Sequence, residues 1–374
     1  MKEPSGAACD HYRRFSSDLD LAAQLGHTAH RFSIEWSRVE PSPGHFSEEA
    51  ISHYAQVIQA CRERGLEPVV TLHHFTNPQW FASEGGWLSS DSPGLFGRYT
   101  RTIVNRLGGS VRWWVTINEP TVLAYYGYLL GKWPPGKRSF PAAVRVLRSL
   151  IQAHRIAYQT IHGQAQSNGW PRPRVGVAHQ MRCYDPCRPQ SFSDRWMVRL
   201  REWVANRWFL NECRGRMDFI GLNYYTRDCI RWGGWSPENL LGVTCSSAHH
   251  PDQGPRNDLG WEIYPRGIRR LLSNLKRYHL PILVTENGMC TGNDDLRWDF
   301  IQRHVEELAE GMQAGAPVVG YLYWSLIDNF EWADGFAPRF GLVEVDYLTQ
   351  QRRPRPSALK FAQWIRGNIR EKGE

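Results

Sequence analysis

Two glutamates each close an apolar run and stand just before a turn-forming residue. One run ends Thr116-Ile117-Asn118-Glu119-Pro120 and the other Val284-Thr285-Glu286-Asn287-Gly288. Other run ends carry Arg31, His74 and Asn223-Tyr224-Tyr225, and a last one passes from Trp324 through Asp328, Asn329 and Phe330 to Glu331 and Trp332. Two carboxyls ringed by Asn, His, Tyr, Arg and Trp suit cleavage of a glycosidic bond. One acid protonates the leaving oxygen while the other carboxylate attacks, or activates water, from the opposite face of the sugar. Indole planes cover the C–H faces of a sugar ring, and Asn, His and Glu fix its hydroxyls.

Taken singly, each residue has an ordinary structural account. A strand-end glutamate is commonly solvated or ion-paired, and Arg31 fits a barrel ion pair. Adjacent His73 and His74 on a strand point to opposite faces, so at most one of them meets the others. Most of the 17 Trp belong in the core, with Trp113, Trp114, Trp203 and Trp208 expected there. The joint occurrence of these residues at run ends is what the ordinary account leaves unexplained.

The elements that must position them alternate along the chain. Strand-like runs rich in Val, Ile and aromatics cover His27–Trp36, Glu67–Phe75, Val111–Pro120, Arg174–Met181, Asp218–Tyr225, Pro281–Met289 and Val318–Asp328. Amphipathic segments lie between them: Glu48–Arg64, Leu95–Leu107, Ala142–Ser167, Trp196–Cys213, Arg266–Tyr278 and Leu296–Ala314, with a last one at about Ser357–Arg370. Strand–helix alternation of this kind argues for a parallel sheet with crossover helices. The chain opens with a helix at about Phe15–Leu25, and no Gly-rich phosphate loop marks a first strand-to-helix turn. An α/β chain of this order fits a (β/α)8 TIM-type barrel lacking its first β-strand better than a doubly wound sheet. Functional groups in such a barrel sit at the C-terminal ends of the strands, where both glutamates fall. No Pro/Ser-rich linker divides residues 1–374, so a single catalytic domain is expected. The longest irregular stretch, Arg227–Glu262, is expected to lie over the mouth.

Composition narrows the alternatives. Apolar residues make up 41% and charged residues 22% of 374 residues, which excludes wholesale disorder. No run of about 18 apolar residues predicts a membrane span, and Met1 to Asp10 lacks the basic-then-apolar order of a signal peptide. A cytoplasmic location with no membrane partner is therefore expected. The net charge of +8 is concentrated from Arg352 to the C-terminus, where seven Lys/Arg face two Glu; it reads as the solvated face of a terminal helix, not a nucleic-acid site. The eight cysteines form no Cys-x-x-Cys pair, so reduced buried thiols are the default and no metal is expected. Cys183 and Cys187 have ligand-like spacing but no matching second half.

With these residues in place, the chain resembles glycoside hydrolase family 1, the β-glucosidase family of retaining, exo-acting enzymes. The likeness spans Ala8–Tyr12, Arg31-Phe32-Ser33, Leu72–Pro78, Gly85-Gly86-Trp87, Thr116–Pro120, Asp218–Tyr225, Asp258–Pro265, Thr285–Gly288, Trp324–Trp332 and Arg339–Leu342. The resemblance implies Glu119 as general acid/base and Glu286 as nucleophile. It implies that Asn118 bonds the sugar 2-hydroxyl and that Arg31 and Tyr225 support Glu286, the cation favouring its ionised form. Asn223 would line the same edge, with His74, Glu331 and Trp332 binding glycone hydroxyls and Trp324 forming the stacking platform. No cofactor is implied, and the partner is a small β-glycoside. A carboxylate at Glu331 would repel a 6-phosphate, so unphosphorylated β-D-glucosides or galactosides are expected. Glu119 is intact, unlike the Gln of the myrosinase branch.

The family's opening strand, ending in a Gln-Ile-Glu-Gly-type motif, has no counterpart in Met1 to Gly6. The connection between Leu210 and Asp218 is also shorter than the family's. Relative to the family the barrel is thus N-terminally incomplete, for which a start codon placed too far downstream is the expected cause. A sugar-binding relative with weak or no activity is the alternative to a working glycosidase. Aglycone and oligomeric state are not encoded in any recognisable motif.

Overall fold

The computed structural model describes residues 3–235, 239–245 and 254–370. All seven apolar runs form strands: β1 (Ala29–Ser33), β2 (Glu67–His73), β3 (Trp113–Asn118), β4 (Arg174–Pro186), β5 (Phe219–Arg231), β7 (Ile282–Asn287) and β8 (Val318–Tyr323), with a short β6 (Val243–Thr244) between β5 and β7. Neighbours in the order β1-β2-β3-β4-β5-β7-β8 pair in parallel, and β6 adds an antiparallel edge to the outer end of β5. The helices that return the chain between strands lie where amphipathic periodicity predicts, among them Glu48–Glu63, Ser92–Leu107, Phe140–Ser167, Arg266–Leu275 and Asp294–Gln313. Their starts carry the expected chemistry. The Ser47 and Ser139 hydroxyls accept from Ala50 and Ala142 amides, and the Asn293 side chain accepts from Asp295 and Leu296.

The parallel sheet curls into a barrel that is nearly closed. Val69, Val115, Ala178, Phe219 and Leu283, from five consecutive strands of the sheet order, fill its interior as one buried layer. Outside it, a larger core packs the strands against the helices through residues such as Val70, Trp114, Leu150, Leu222 and Leu271. Among the described residues β1 and β8 are edges that pair with each other nowhere. A slot of about 740 Å³ follows that seam, from helices His11–Gln24 and Pro356–Arg370 inward to Arg31, His74 and Trp324.

Several expectations need correction. Strands β4 and β5 run five or six residues past their expected ends, because above the barrel they keep pairing with each other, from Cys183↔Arg227 to Pro186↔Ile230. The stretch Arg227–Glu262 therefore begins as strand, and part of it lies outside the described residues. Cys187 and Cys245 form a disulfide and are not reduced thiols. The reason is topological. The Cys187 amide bonds to Ile230 O and the Cys245 amide to Cys229 O, so the end of β5 brings cysteines 58 positions apart to a Cα separation of 6.3 Å. The other six cysteines are free. Trp203 is 48% exposed, stacked on Trp208 and not in the core. Two tail cations are also not solvated: Arg352 pairs with fully buried Asp18, and Arg355 with fully buried Asp328. Among the described residues no helix is long and apolar enough to cross a membrane, and no cluster of three or more His, Cys, Asp or Glu is placed to hold a metal.

Candidate active site

At the C-terminal ends of the strands the chain changes direction abruptly. Phe75, Glu119 and Trp332 all have left-handed backbone conformations, unusual for residues with a Cβ, and such strain concentrates at functional sites. Glu119 follows β3 directly. Its amide still bonds to Ala178 O of β4 at 2.7 Å, and φ 46° then turns the chain into the helix Pro120–Ala124. Gly288 follows β7. A Cβ there would lie 1.8 Å from Trp324 O, so only glycine lets the end of β8 pass beside Glu286.

One hydrogen-bonded network joins both glutamates. The two hydrogens of Asn223 Nδ2 go to Glu119 Oε1 (2.8 Å) and Asn118 Oδ1 (3.2 Å), while Asn223 Oδ1 accepts from Thr285 Oγ1 at 2.6 Å. Asn118 Oδ1 also accepts from Arg31 Nη2 at 2.6 Å, and Arg31 Nη1 donates to Glu286 Oε1 at 2.5 Å. The second oxygen of Glu286 accepts from Tyr225 OH at 2.5 Å. Strand register explains part of this convergence, since Asn223 on β5 lies opposite Glu286 on β7. Arg31 is oriented by a third bond, Nε to Thr71 Oγ1 at 3.0 Å.

The network also fixes protonation. Asn118 Oδ1 is occupied by two donors, so its Nδ2 donates to His74 Nε2 at 3.0 Å, leaving the His74 proton on Nδ1, 3.4 Å from Ser33 Oγ. Burial, then the Arg31 and His73 charges, hold His74 well below the ordinary imidazole range, so the ring is neutral. Its neighbour His73 points the other way, with Nε2 3.0 Å from Asn77 Oδ1 and the ring against Trp87. Burial first, and then the negative charge of Glu286, push the Glu119 carboxyl up to about 8.

Aromatic rings and a third carboxyl complete the wall. Trp324 and Trp332 lie 6.1 and 5.7 Å from His74 between ring centroids, and Phe75 packs on Trp332 at 5.4 Å. Trp324 Nε1 donates to Glu331 Oε1 at 3.3 Å, and burial raises Glu331 to about 8. Every residue to which the resemblance gives a site role thus belongs to this cluster: Glu119, Glu286, Arg31, His74, Asn118, Asn223, Tyr225, Trp324, Glu331 and Trp332. Tyr224 and Asp328, also at run ends, point elsewhere, to Tyr264 O and Arg355. Sequence reasoning passed over four residues that act on it. Ser33 and Thr71 share the face of Arg31 on the paired strands β1 and β2, and Thr285 is one residue before Glu286 on β7. Arg182, whose charge opposes the upward shift of Glu119, lies one residue past the expected end of β4. Thr285 was within the Thr-Glu-Asn-Gly motif, and Arg182 had no signal.

Known proteins share this architecture. The sequence model of glycosyl hydrolase family 1 matches residues 2–216 and 210–371. The chain is 31% identical to beta-glucosidase A of Thermotoga maritima, covering 96% of this chain and 87% of that protein. It is also 31% identical to the beta-galactosidase of Sulfolobus acidocaldarius, covering 96% and 83%. The solved beta-glycosidase from Pyrococcus horikoshii superposes with a TM-score of 0.90 at 36% identity, over 96% of this chain and 85% of that one. Matched nearly end to end in sequence and in fold, this chain belongs to glycosyl hydrolase family 1 and is a glycoside hydrolase.

Proposed function

We propose that the protein is a retaining, exo-acting β-glycosidase that hydrolyses unphosphorylated β-D-glucosides or β-D-galactosides, with residues 1–374 as one catalytic unit. The observation that carries this reading is the contrast between the two networked glutamates. Glu119 is raised to about 8 and starts protonated at neutral pH, while both oxygens of Glu286 accept hydrogen bonds, one from a guanidinium. In the first step a Glu286 oxygen bonds the anomeric carbon, the bond to the leaving oxygen breaks, and the Glu119 proton goes to that oxygen. The ester formed no longer carries the Glu286 charge, so Glu119 becomes more acidic and can take a proton from water. Water oxygen then bonds the anomeric carbon and Glu286 leaves as a carboxylate.

The remaining residues take binding roles. Asn118 faces the 2-hydroxyl, His74, Glu331 and Trp332 the other hydroxyls, Asn223 holds Glu119, and Trp324 stacks on the ring. The indoles and Phe75 closing one side support removal of a terminal sugar. Local charge supports an unphosphorylated glycone. The Arg31 guanidinium in the network is already engaged with Glu286 and Asn118, and the Glu286 carboxylate would oppose a dianion.

The test is NMR of the first sugar released from 4-nitrophenyl β-D-glucoside, with Glu286→Ala as control. β-Glucose first, and no turnover by the variant, is the expected result; α-glucose first would overturn retention, and an active Glu286→Ala protein would overturn the assignment of the nucleophile. The open seam beside Arg31 and His74 favours one second reading, a sugar-binding relative without chemistry. Calorimetric glucose binding without turnover would select it.

A further inference from the structure

A second cavity, of about 290 Å³, begins two residues beyond Glu119. Thr121 and Val122 of the helix that Glu119 starts form one wall, and Gln180 and Arg182 of β4 form another. Gln180 is opposite Asn223 in register, Asn223 holds Glu119, and the Arg182 charge acts on Glu119, so the cavity adjoins the acid. At about 30 Å³ per water its volume equals roughly ten waters, enough for a substituted aromatic ring.

Its lining combines aromatic surface with an excess of positive charge. Three cations line it, Arg182, Arg201 and Lys132, against one carboxylate, Asp228. Arg182 is spent on Asp228, with Nη1 3.0 and 3.1 Å from the two carboxylate oxygens. Arg201 and Lys132 make no ion pair among the described residues. The Arg201 guanidinium instead lies between aromatic faces, 5.9 Å from the Tyr125 ring centroid and 5.6 Å from that of Tyr184, and donates weakly to the carbonyls of Leu241 and Gly242. Lys132 Nζ is 6.0 Å above the Tyr126 ring. The backbone is bent to build this place: both flanking segments, Tyr125–Leu129 and Trp203–Arg207, are single π-helical turns, a distortion associated with functional sites.

We infer that this cavity is the aglycone site and that it selects β-glycosides whose leaving group is an aromatic ring bearing an acidic substituent. The inference rests on the glycosidase reading and names its substrate class. The ring packs against Tyr125 and Tyr126 while the carboxylate, or another anion of that size, meets Arg201 and Lys132. Arginine is suited to this role, since its planar fork binds a carboxylate and stays charged at every working pH.

The experiment compares 4-(carboxymethyl)phenyl β-D-glucoside with its amide, two leaving groups of nearly equal acidity. The acid is expected to have a kcat/KM about tenfold higher, the size of one charge-assisted contact. The ratio should fall toward one in Arg201→Gln, fall part-way in Lys132→Gln, where the side chain is exposed and folding is not at stake, and shrink in 0.5 M salt by screening. Equal or poorer use of the acid by the unaltered protein would overturn the inference while leaving the glycosidase reading intact, as would a ratio that both variants preserve. If neither glucoside is hydrolysed the glycosidase reading falls. Calorimetric titration with 4-hydroxyphenylacetate and its amide then decides the cavity alone: preference for the anion that Arg201→Gln removes supports it, and no preference overturns it.

Discussion

Arg31 and Glu286 stand 255 residues apart in the chain, yet a guanidinium nitrogen of the first donates to a carboxylate oxygen of the second at 2.5 Å. Arg31 belongs to an edge strand, and its hold on Glu286 depends on β2, through Thr71, as much as on its own strand. Replacing it with Ala removes two charge-assisted bonds and leaves Glu286 with Tyr225 alone. A loss in kcat/KM of roughly 10²- to 10³-fold is expected, equivalent to about 3–4 kcal/mol of transition-state stabilisation. Arg31→Lys keeps the charge but cannot fork to Asn118 as well, so an intermediate loss is expected. Steady-state kinetics on 4-nitrophenyl β-D-glucoside decide this, and an Arg31→Ala enzyme within a few-fold of the parent would show that the pair is structural only.

The pH dependence follows from Glu119. In the free enzyme it must carry a proton, and its carboxyl is raised to about 8, so kcat/KM should fall on the alkaline side with a midpoint near that value. Once Glu286 is esterified its charge disappears, and Glu119, now a base, is needed deprotonated. With 2,4-dinitrophenyl β-D-glucoside, whose leaving group makes breakdown of the ester limiting, kcat should therefore hold steady through pH 8 and fall only on the acidic side. A kcat profile that tracks kcat/KM would contradict the two-role assignment.

Stability should carry the same signature with the opposite benefit. Glu119 and Glu331 are both moved by burial from an ordinary 4.5 to about 8. Between those values the folded protein keeps protons that the unfolded chain has released, so stability declines as pH rises from about 4.5 to about 8. Glu119→Gln and Glu331→Gln should then melt above the parent protein at pH 8, by about 1–2 kcal/mol each, with the gap narrowing at pH 5. Calorimetry at the two pH values measures it, and a gap independent of pH would mean that neither carboxyl is strained.

The Cys187–Cys245 disulfide ties the end of β4 to the segment after β6, at the rim of the aglycone cavity where Leu241 and Thr244 stand. It closes a loop with a sequence separation of 58, and the double Ser variant is expected to lose about 2–4 kcal/mol. Melting with and without reductant checks this: the parent should fall toward the variant, and the variant should not respond.

How much of this could be read from residue order varies with how local the cause is. The five inner strands β2, β3, β4, β5 and β7 were legible because each buries side chains on both faces, which writes a continuous apolar run. The edge strands β1 and β8, only partly buried at the seam, still carry enough apolar and aromatic residues to be read. Glu119 and Glu286 were legible because two carboxylates closing such runs occur together with Arg31, His74 and Asn223 at other run ends. Beyond the barrel rim the causes are pairwise. Arg182-Cys183-Tyr184-Asp185 has a charge at each end and neither an apolar run nor a period-2 alternation, so it looks like a loop, yet it remains strand because β5 rises beside it. Arg201 sits in what reads as one continuous amphipathic helix, and the π-turn that follows it has no residue signature. The cysteine pair is invisible for the same reason, since only the β5–β6 hairpin brings its halves together.

Gly288 offers the sharpest separation of scaffold from site. It stands two residues after Glu286, and a Cβ added there would fall 1.8 Å from the carbonyl oxygen of Trp324 and 2.8 Å from its carbon, atoms of a backbone that cannot rotate aside as a side chain would. Trp324 is held in that position by its own amide, bonded to Asn287 O at 2.9 Å, so relief requires the ends of β7 and β8 to part. Parting them displaces Glu286 and the Trp324 platform together. Gly288→Ala is therefore expected to cost at least about 2–3 kcal/mol of stability through overpacking and to lower kcat/KM far more than that loss of folded protein explains. Gly292, four residues on, has open space where its Cβ would be, and Gly292→Ala should be neutral in both measurements. Thermal melting and kinetics on the pair of variants decide the matter: a well-folded, fully active Gly288→Ala protein would mean that the two strand ends are free to move, and that the carboxylate network does not depend on their close approach.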